Sequence, residues 1–267
     1  MILIDFATFL FAILTLLLVH IPMPKASAEG QSKRGSVWHQ AGYGWKYLKE
    51  RPGLLGLLIL LAFINFALGF HSVLFTPLIL SFADADVLGG ILSAGGLGML
   101  VGSMVMSAWG GTKRKIISLM VSMFAFGIAI SLVGFRADPY LIGAAFFGFL
   151  ALLPIARGSS QAIWQMKVAP DIQGRVFAIR GLIASIIRPF ALVAAGPLAD
   201  KVFEPLLADD GALANSVGSI IGSGAGRGIG FIFVVMGLFI SLATLVGYLS
   251  PRIRNVETEL TDAIGGT

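Results

Sequence analysis

The chain has 267 residues, of which 57% are hydrophobic and only 12% are charged. A soluble domain carries about 25% charged residues because its surface must be wetted, so this composition excludes a soluble globule and favours a polytopic membrane protein. Lys and Arg number 19 against 14 Asp and Glu, for a net charge of +5, and the absence of cysteine excludes a disulfide framework and a thiol nucleophile.

Seven apolar segments approach the length that a bilayer demands. A hydrocarbon core about 30 Å thick takes roughly 20 helical residues. In chain order the segments are residues 6–21, 54–82, 87–109, 116–135, 140–166, 176–198 and 229–249. We therefore predict an all-α, polytopic membrane protein with about seven transmembrane helices. The segment 199–228 between the last two spans ends in a glycine-rich run and is expected to be a flexible lead into the final helix.

The basic residues orient these spans. If the loop after the first span is cytoplasmic, 14 Lys and Arg residues lie inside and 3 outside, with two more inside the membrane. This asymmetry follows the positive-inside rule and predicts a cytoplasmic C-terminus. It also accounts for the basic isoelectric point, so no nucleic-acid partner is expected.

The N-terminal region permits two interpretations. Ala26-Ser27-Ala28 after an apolar run is typical of a signal-peptidase site, but the run carries Asp5 and no basic residues before it, which favours a transmembrane span. Downstream, residues 36–52 alternate aromatic and basic side chains, a pattern that predicts an amphipathic helix in the headgroup region. A solvated linker is the alternative for that stretch.

The second span carries a stripe of small and polar residues. Asn65, Gly69, Ser72 and Thr76 recur at helical spacing on one face, and His71 lies beside them. Such a stripe either lines an aqueous cavity or packs helices together in lipid, and both interpretations stay open.

The third span is rich in glycine. Gly95, Gly98 and Gly102 stand within it, and the last two form a GxxxG pair that lets two helices approach closely. We predict a packing role for these three residues rather than ligand binding.

Three arginines stand within predicted spans, of which Arg180, near the cytoplasmic start of the sixth span, is counted with the cytoplasmic basic residues. Arg157 shares a face with Gln161 and Trp164, and Arg188 lies near the midplane of the sixth span. An unpaired arginine at that depth costs at least about 2.5–3.5 kcal/mol on insertion scales, and no carboxylate of the later spans can pair with it. We predict that Arg188, with Arg157 and Gln161, faces a cavity that binds an anionic group. The alternative is that Arg188 pairs with a carboxylate of another bundle.

Enzymatic signatures are absent from the sequence. It holds no HExxH motif and no Cys/His cluster, and its three histidines are scattered. We expect no catalytic residues, no metal and no cofactor.

Six stretches of the chain resemble one family. They are residues 4–9, 44–52, the basic loop Gly110-Gly111-Thr112-Lys113-Arg114-Lys115, residues 161–177, Gly196-Pro197-Leu198-Ala199-Asp200, and residues 251–257. Together they resemble the C-terminal part of a major facilitator superfamily transporter, in the macrolide- and siderophore-exporter-like branch. The most specific stretch is 161–177, which is similar to the loop between the tenth and eleventh helices of that branch. The loop at 110–115 has no Asp, unlike the fuller family motif.

The resemblance implies a domain organisation. Residues 1–21 would be the last helix of the first bundle, 22–53 a cytoplasmic linker with an amphipathic helix, 54–250 the six-helix C-terminal bundle, and 251–267 a cytoplasmic tail. The missing part of a full transporter would be an N-terminal bundle or a second subunit.

The resemblance also implies a function. We expect part of a secondary active exporter of small organic molecules, a proton-driven antiporter in a bacterial plasma membrane. Its cavity would be lined by Asn65, His71, Ser72, Thr76, Arg157, Gln161 and Arg188. Its cytoplasmic gating loops would contain Lys113, Arg114, Gly174 and Arg175. A non-transporting remnant or regulatory subunit, and a lipid flippase on the same fold, are the alternatives.

Overall fold

The computed structural model describes residues 2–18 and 37–260. Residues 19–36, which include the signal-peptidase-like Ala26-Ser27-Ala28, and the tail residues 261–267 lie outside the described residues. The alternative of a signal peptide and residues 22–36 of the predicted linker therefore stay predictions, as does the division into domains.

Over the described ranges the chain is helical and contains no strand. In chain order the helices are α1 (Ile2–Leu18), α2 (Val37–Lys49), α3 (Pro52–Leu80), α4 (Ala85–Trp109), α5 (Lys115–Phe135), α6 (Pro139–Lys167), α7 (Pro170–Leu198), α8 (Glu204–Leu207), α9 (Gly218–Ile221), α10 (Arg227–Leu249), α11 (Pro251–Arg254) and α12 (Val256–Glu259). A π-helical turn, Ala199–Phe203, joins α7 to α8.

Six helices in the described part of the chain are long and apolar enough to cross a membrane, namely α3, α4, α5, α6, α10 and the α7–α8 unit. The predicted all-α, polytopic membrane fold is confirmed. The predicted first span corresponds to α1, whose 17 residues reach only about 25 Å at 1.5 Å per residue. Its Phe6, Phe9 and Phe11 are exposed.

Prolines and one aspartate set where the helices begin. Pro52, Pro139 and Pro170 each stand in the first turn of a helix, where a missing N–H costs nothing. The Asp138 carboxylate accepts hydrogen bonds from the backbone N–H groups of Tyr140 and Leu141 at 2.9 and 2.8 Å, capping α6. The sixth predicted span differs, because α7 begins at Pro170 and not at Val176.

The bundle is built around α5, which packs against α6 on one side and α10 on the other. Helix α4 packs on α6, and α3 packs on both α7 and α10. The α5–α10 contact is closed by facing glycines, since a Cβ at Gly134 would lie 2.0 Å from the Gly230 carbonyl oxygen. Only a residue without a side chain lets the two backbones approach this closely.

The segment between α7 and α10 is folded, unlike the expected flexible lead. The Glu204 carboxylate accepts hydrogen bonds from Gly226 N–H at 3.1 Å and Ile229 N–H at 3.0 Å, at the N-terminus of α10. Gly226 itself has a φ of +77°, a conformation that glycine adopts without strain. The Arg227 guanidinium donates to the Gly134 carbonyl oxygen at 2.7 Å and ties the segment to α5.

The opposite end of the bundle is held by α2 and the C-terminal tail. Tyr47 and Leu48 of α2 are buried, whereas Trp45 is exposed, so the predicted amphipathic helix docks on the bundle by one face. In the tail, the Glu257 carboxylate accepts a 2.7 Å hydrogen bond from Lys115 N–H at the start of α5. The Lys167 ammonium donates to the carbonyl oxygens of Glu257 and Leu260.

Candidate functional site

A cavity of about 660 Å³ lies between α3, α5, α6 and α7. Such a volume is typical of small-molecule sites, which span roughly 300–1,000 Å³. Its walls are mostly apolar, with side chains such as Leu61, Phe126 and Phe177. All four helices contribute mainly residues from the half that the positive-inside rule assigns to the cytoplasmic side.

Polar side chains converge on one wall of this cavity. The Arg180 guanidinium donates to the Gln161 side-chain oxygen at 3.0 Å and to the Ser160 hydroxyl at 3.1 Å. It also lies 5.4 Å from the ring centroid of Trp164, whose side chain is fully buried. These contacts bridge α6 and α7 and fix the direction of the guanidinium, because Arg stacks on aromatic faces as it donates hydrogen bonds.

The cavity carries positive charge. Arg157 and Arg180 both line it, and its lining residues include no Asp or Glu. Within the described part of the chain, no carboxylate lies at ion-pairing distance from either guanidinium. The wall therefore presents two cations, and the described hydrogen-bond partners of Arg180 are neutral.

The sequence-based prediction of the cavity does not include Arg180. With a span that begins at Val176, Arg180 lies only four residues, about 6 Å, from the cytoplasmic end, and it is therefore grouped with the cytoplasmic basic residues. Since α7 begins at Pro170, Arg180 lies about 15 Å along the helix at 1.5 Å per residue. The signal in the sequence was Pro170, a strong helix-start residue in a polar stretch.

The structure brings together part of the predicted site. Asn65, Arg157 and Gln161, three of the residues predicted to line a substrate cavity, are among the residues that line this one. That the cavity binds a substrate stays a prediction. Asn65 also donates from its side-chain amide to the Leu61 carbonyl oxygen at 2.7 Å.

The rest of the polar stripe on α3 lies elsewhere. A Cβ at Gly69 would lie 2.4 Å from the Ala191 Cβ, so this residue closes the α3–α7 contact. Ser72 is exposed and donates to the Gly69 carbonyl oxygen at 2.7 Å, and Thr76 is exposed. Both interpretations left open by the sequence therefore apply to part of the stripe. Asn65 lines the cavity, and Gly69 packs against α7.

His71 stands in an aromatic box outside the cavity lining. Its ring stacks on Phe75, Phe146 and Phe149 at centroid distances of 4.8, 5.6 and 5.0 Å, and meets Phe233 edge-on at 5.8 Å. The rings come from α3, α6 and α10, so His71 joins three helices.

Arg188 does not line the cavity either. Its side chain is exposed on α7, four residues beyond the helix midpoint at Ala184, whereas Arg180 lies four residues before it. The two arginines are therefore equally far from the helix midpoint, on opposite sides of it, but only Arg180 lines the cavity. The role predicted for Arg188 remains a prediction.

The glycines of α4 lie against α6. A Cβ at Gly98 would lie 2.2 Å from the Phe147 carbonyl oxygen, and one at Gly102 would lie 1.9 Å from the Ala151 carbonyl oxygen. At Gly95 the obstructing atoms belong to the Phe146 ring, at 2.4 Å. Such spacing is what a close helix–helix contact requires.

The four residues predicted for the gating loops divide into two pairs. Lys113 and Arg114 are exposed in the short loop between α4 and α5. Gly174 and Arg175 lie inside α7 and not in a loop, because the helix starts at Pro170. A Cβ at Gly44 of α2 would lie 3.2 Å from the Arg175 carbonyl oxygen, which places this part of α7 directly against α2.

Comparison with known proteins identifies exporters among the relatives. The chain is 24% identical over 213 residues to macrolide efflux protein A of Streptococcus pyogenes, a match that covers 74% of this chain and 50% of that protein. It is 25% identical over 203 residues to macrolide efflux protein A of Enterococcus faecalis, covering 71% and 59% respectively. The chain therefore spans about half the length of the curated relatives it matches.

Two further comparisons found nothing. No family model matches the chain, and no solved structure matches it. With six helices long and apolar enough to cross a membrane, the chain is a multi-pass membrane protein, and it is similar in sequence to proteins named for macrolide efflux.

Proposed function

We propose that the chain forms the C-terminal half of a secondary active exporter of small organic molecules, which works by alternating access. The observation that carries this proposal is the cavity between α3, α5, α6 and α7. It combines apolar walls with a few convergent polar groups, the arrangement typical of ligand sites. In transporters of this architecture the substrate lies near the bilayer midplane, at the interface between two repeats.

A second bundle completes the pathway in this proposal. Rocking of one bundle against another exposes the site to each side in turn, and a single bundle has nothing to rock against. The α7 side chains Leu182, Phe190 and Val193 are exposed by 53, 69 and 75%, which supports a partner or lipid on that face. The second bundle belongs either to the same polypeptide or to another subunit, with α1 as its last helix.

Orientation and energy coupling belong to the same proposal. The cavity lies in the half of the bundle assigned to the cytoplasm of a bacterial cell, and in this proposal the C-terminus is on that side. Its lining residues include no carboxylate, and in this proposal the second bundle supplies the group that carries the coupling proton. The complete protein would then act as a proton-driven antiporter.

The proposal is tested by measuring efflux of small molecules from the native host and flux through reconstituted liposomes. Cells that overproduce the protein from its native gene, and cells in which that gene is disrupted, are loaded with erythromycin or with 5-carboxyfluorescein. We expect faster loss of at least one probe from the overproducing cells, and a protonophore should abolish the difference. The 267-residue chain reconstituted alone should give no flux above empty liposomes.

Other outcomes separate the alternatives. Identical accumulation of both probes in the two strains would contradict the exporter. Movement of a fluorescent phospholipid between leaflets would favour a flippase, and robust flux by the lone chain would show that two copies of it form the pathway.

A further inference from the structure

The charge of the cavity distinguishes between classes of substrate. Arg157 and Arg180 are its only charged lining residues within the described part of the chain. An organic cation in this space would meet two like charges in a setting of reduced dielectric, where repulsion is stronger than in water. An organic anion would meet two opposite charges there.

Arg180 has unused capacity for an anionic group. Its described hydrogen bonds to Gln161 and Ser160 occupy two of the five N–H donors of a guanidinium. Both acceptors are neutral, so they orient the guanidinium without neutralising it. A planar guanidinium held in this way is suited to bidentate binding of a carboxylate or sulfonate.

We propose that this cavity binds an amphiphilic anion. Arg180 binds the anionic group, Arg157 supplies a second positive charge, and the apolar walls contact the hydrophobic part of the molecule. The proposal rests on the exporter proposed above and names its substrate class. It departs from the sequence-based prediction, which gave the recognising role to Arg188.

A purely structural role for Arg180 makes a different prediction. If the residue only fastens α6 to α7, its charge has no consequence for what enters the cavity. Replacing it would then change stability without changing any preference between anions and cations. The two roles are therefore separable by measuring charge preference inside the cavity.

The absence of cysteine from the chain makes that measurement direct. Ala184 lines the cavity one helical turn from Arg180. The Ala184→Cys chain is placed in nanodiscs of phosphatidylcholine, and its labelling rates are compared for an anionic and a cationic methanethiosulfonate, the sulfonatoethyl and trimethylammonioethyl reagents. The exposed external residue Ser216, as Ser216→Cys, supplies the reference for intrinsic reactivity.

We expect the ratio of anionic to cationic labelling at position 184 to exceed the reference ratio by about tenfold, the order expected for unit charges near a guanidinium at a partly hydrated site. Adding Arg180→Gln should reduce that excess by most of its value, whereas Arg180→Lys should retain it. Equal ratios at the two positions would overturn the proposal. So would an excess that survives Arg180→Gln and disappears with Arg188→Gln.

A second measurement leaves Arg180 intact, in case Arg180→Gln does not fold. In the Ala184→Cys chain, 2-naphthoate should slow labelling, and 2-naphthylmethylamine at the same concentration should not. Protection by the amine alone, or by neither compound, would contradict the anion site. A cysteine at 184 that no reagent reaches would instead contradict a cavity that is accessible from water, and with it the proposed exporter.

Discussion

Replacing Gly102 by Ala tests how tightly α4 is packed. The added Cβ would lie 1.9 Å from the Ala151 carbonyl oxygen and 2.7 Å from its carbonyl carbon, where ordinary contact begins at 3.4 Å. The obstructing atoms belong to the backbone of α6, so no side-chain rotation relieves the clash. The two helices must move apart by about 1.5 Å, and the adjoining contact at Gly98 opens with them.

The expected net cost is about 2 kcal/mol. Overpacking costs roughly 1–3 kcal/mol, and we take the upper end because backbone atoms obstruct the methyl group. The higher helix propensity of alanine offsets about 1 kcal/mol of this loss in the free energy of unfolding. The matched control is Gly96→Ala in the same helix, because a Cβ at Gly96 meets no atom within 4 Å. That variant should gain about 1 kcal/mol.

Thermal unfolding of both variants in one detergent measures the difference. Loss of helical circular dichroism should occur at a clearly lower temperature for Gly102→Ala than for the wild type, and at an equal or higher temperature for Gly96→Ala. If Gly102→Ala unfolds at the same temperature as Gly96→Ala, the close contact between α4 and α6 does not exist in solution.

Three further predictions concern the two ends of the bundle. Glu204→Ala removes both hydrogen bonds to the start of α10 and should destabilise the protein by about 1 kcal/mol, measured by thermal unfolding, whereas the exposed control Asp210→Ala should not. Glu257→Ala removes the hydrogen bond to α5 and should speed trypsin cleavage of the C-terminal tail. The matched control, Glu259→Ala, should be cleaved at the wild-type rate. A topology reporter fused to the C-terminus should read cytoplasmic and one inserted after Asp209 external; an external C-terminus would overturn the proposed orientation.

The transmembrane helices could be predicted from the sequence because length and hydropathy are local properties. Five of the six helices begin within two residues of the predicted start. The exception is α7, whose first turns contain Asp171, Gln173 and Arg175 and therefore look like a loop in a hydropathy profile. Pro170 and its compatibility with the first turn of a helix were the better guide.

The cavity could be predicted only in part, because its lining depends on how helices rotate against each other. Asn65, Arg157 and Gln161 were found by helical spacing, which is again local. Predicting the contribution of Arg180 depends on knowing where α7 begins. Predicting the aromatic box around His71 depends on knowing which phenyl rings of three helices meet. Neither arrangement follows from periodicity along a single segment.

The most direct test of the account is whether the cavity opens to alternate sides of the membrane. The Ala184→Cys protein is labelled with the impermeant sulfonatoethyl reagent in intact cells and in inverted membrane vesicles. We predict rapid labelling in inverted vesicles, since Ala184 lines the cavity, which lies in the half of the bundle assigned to the cytoplasm. We predict slow labelling in intact cells, which accelerates when a proton gradient and 5-carboxyfluorescein are supplied. Labelling from neither side, or at rates that no gradient or probe alters, would contradict a transport pathway through this cavity.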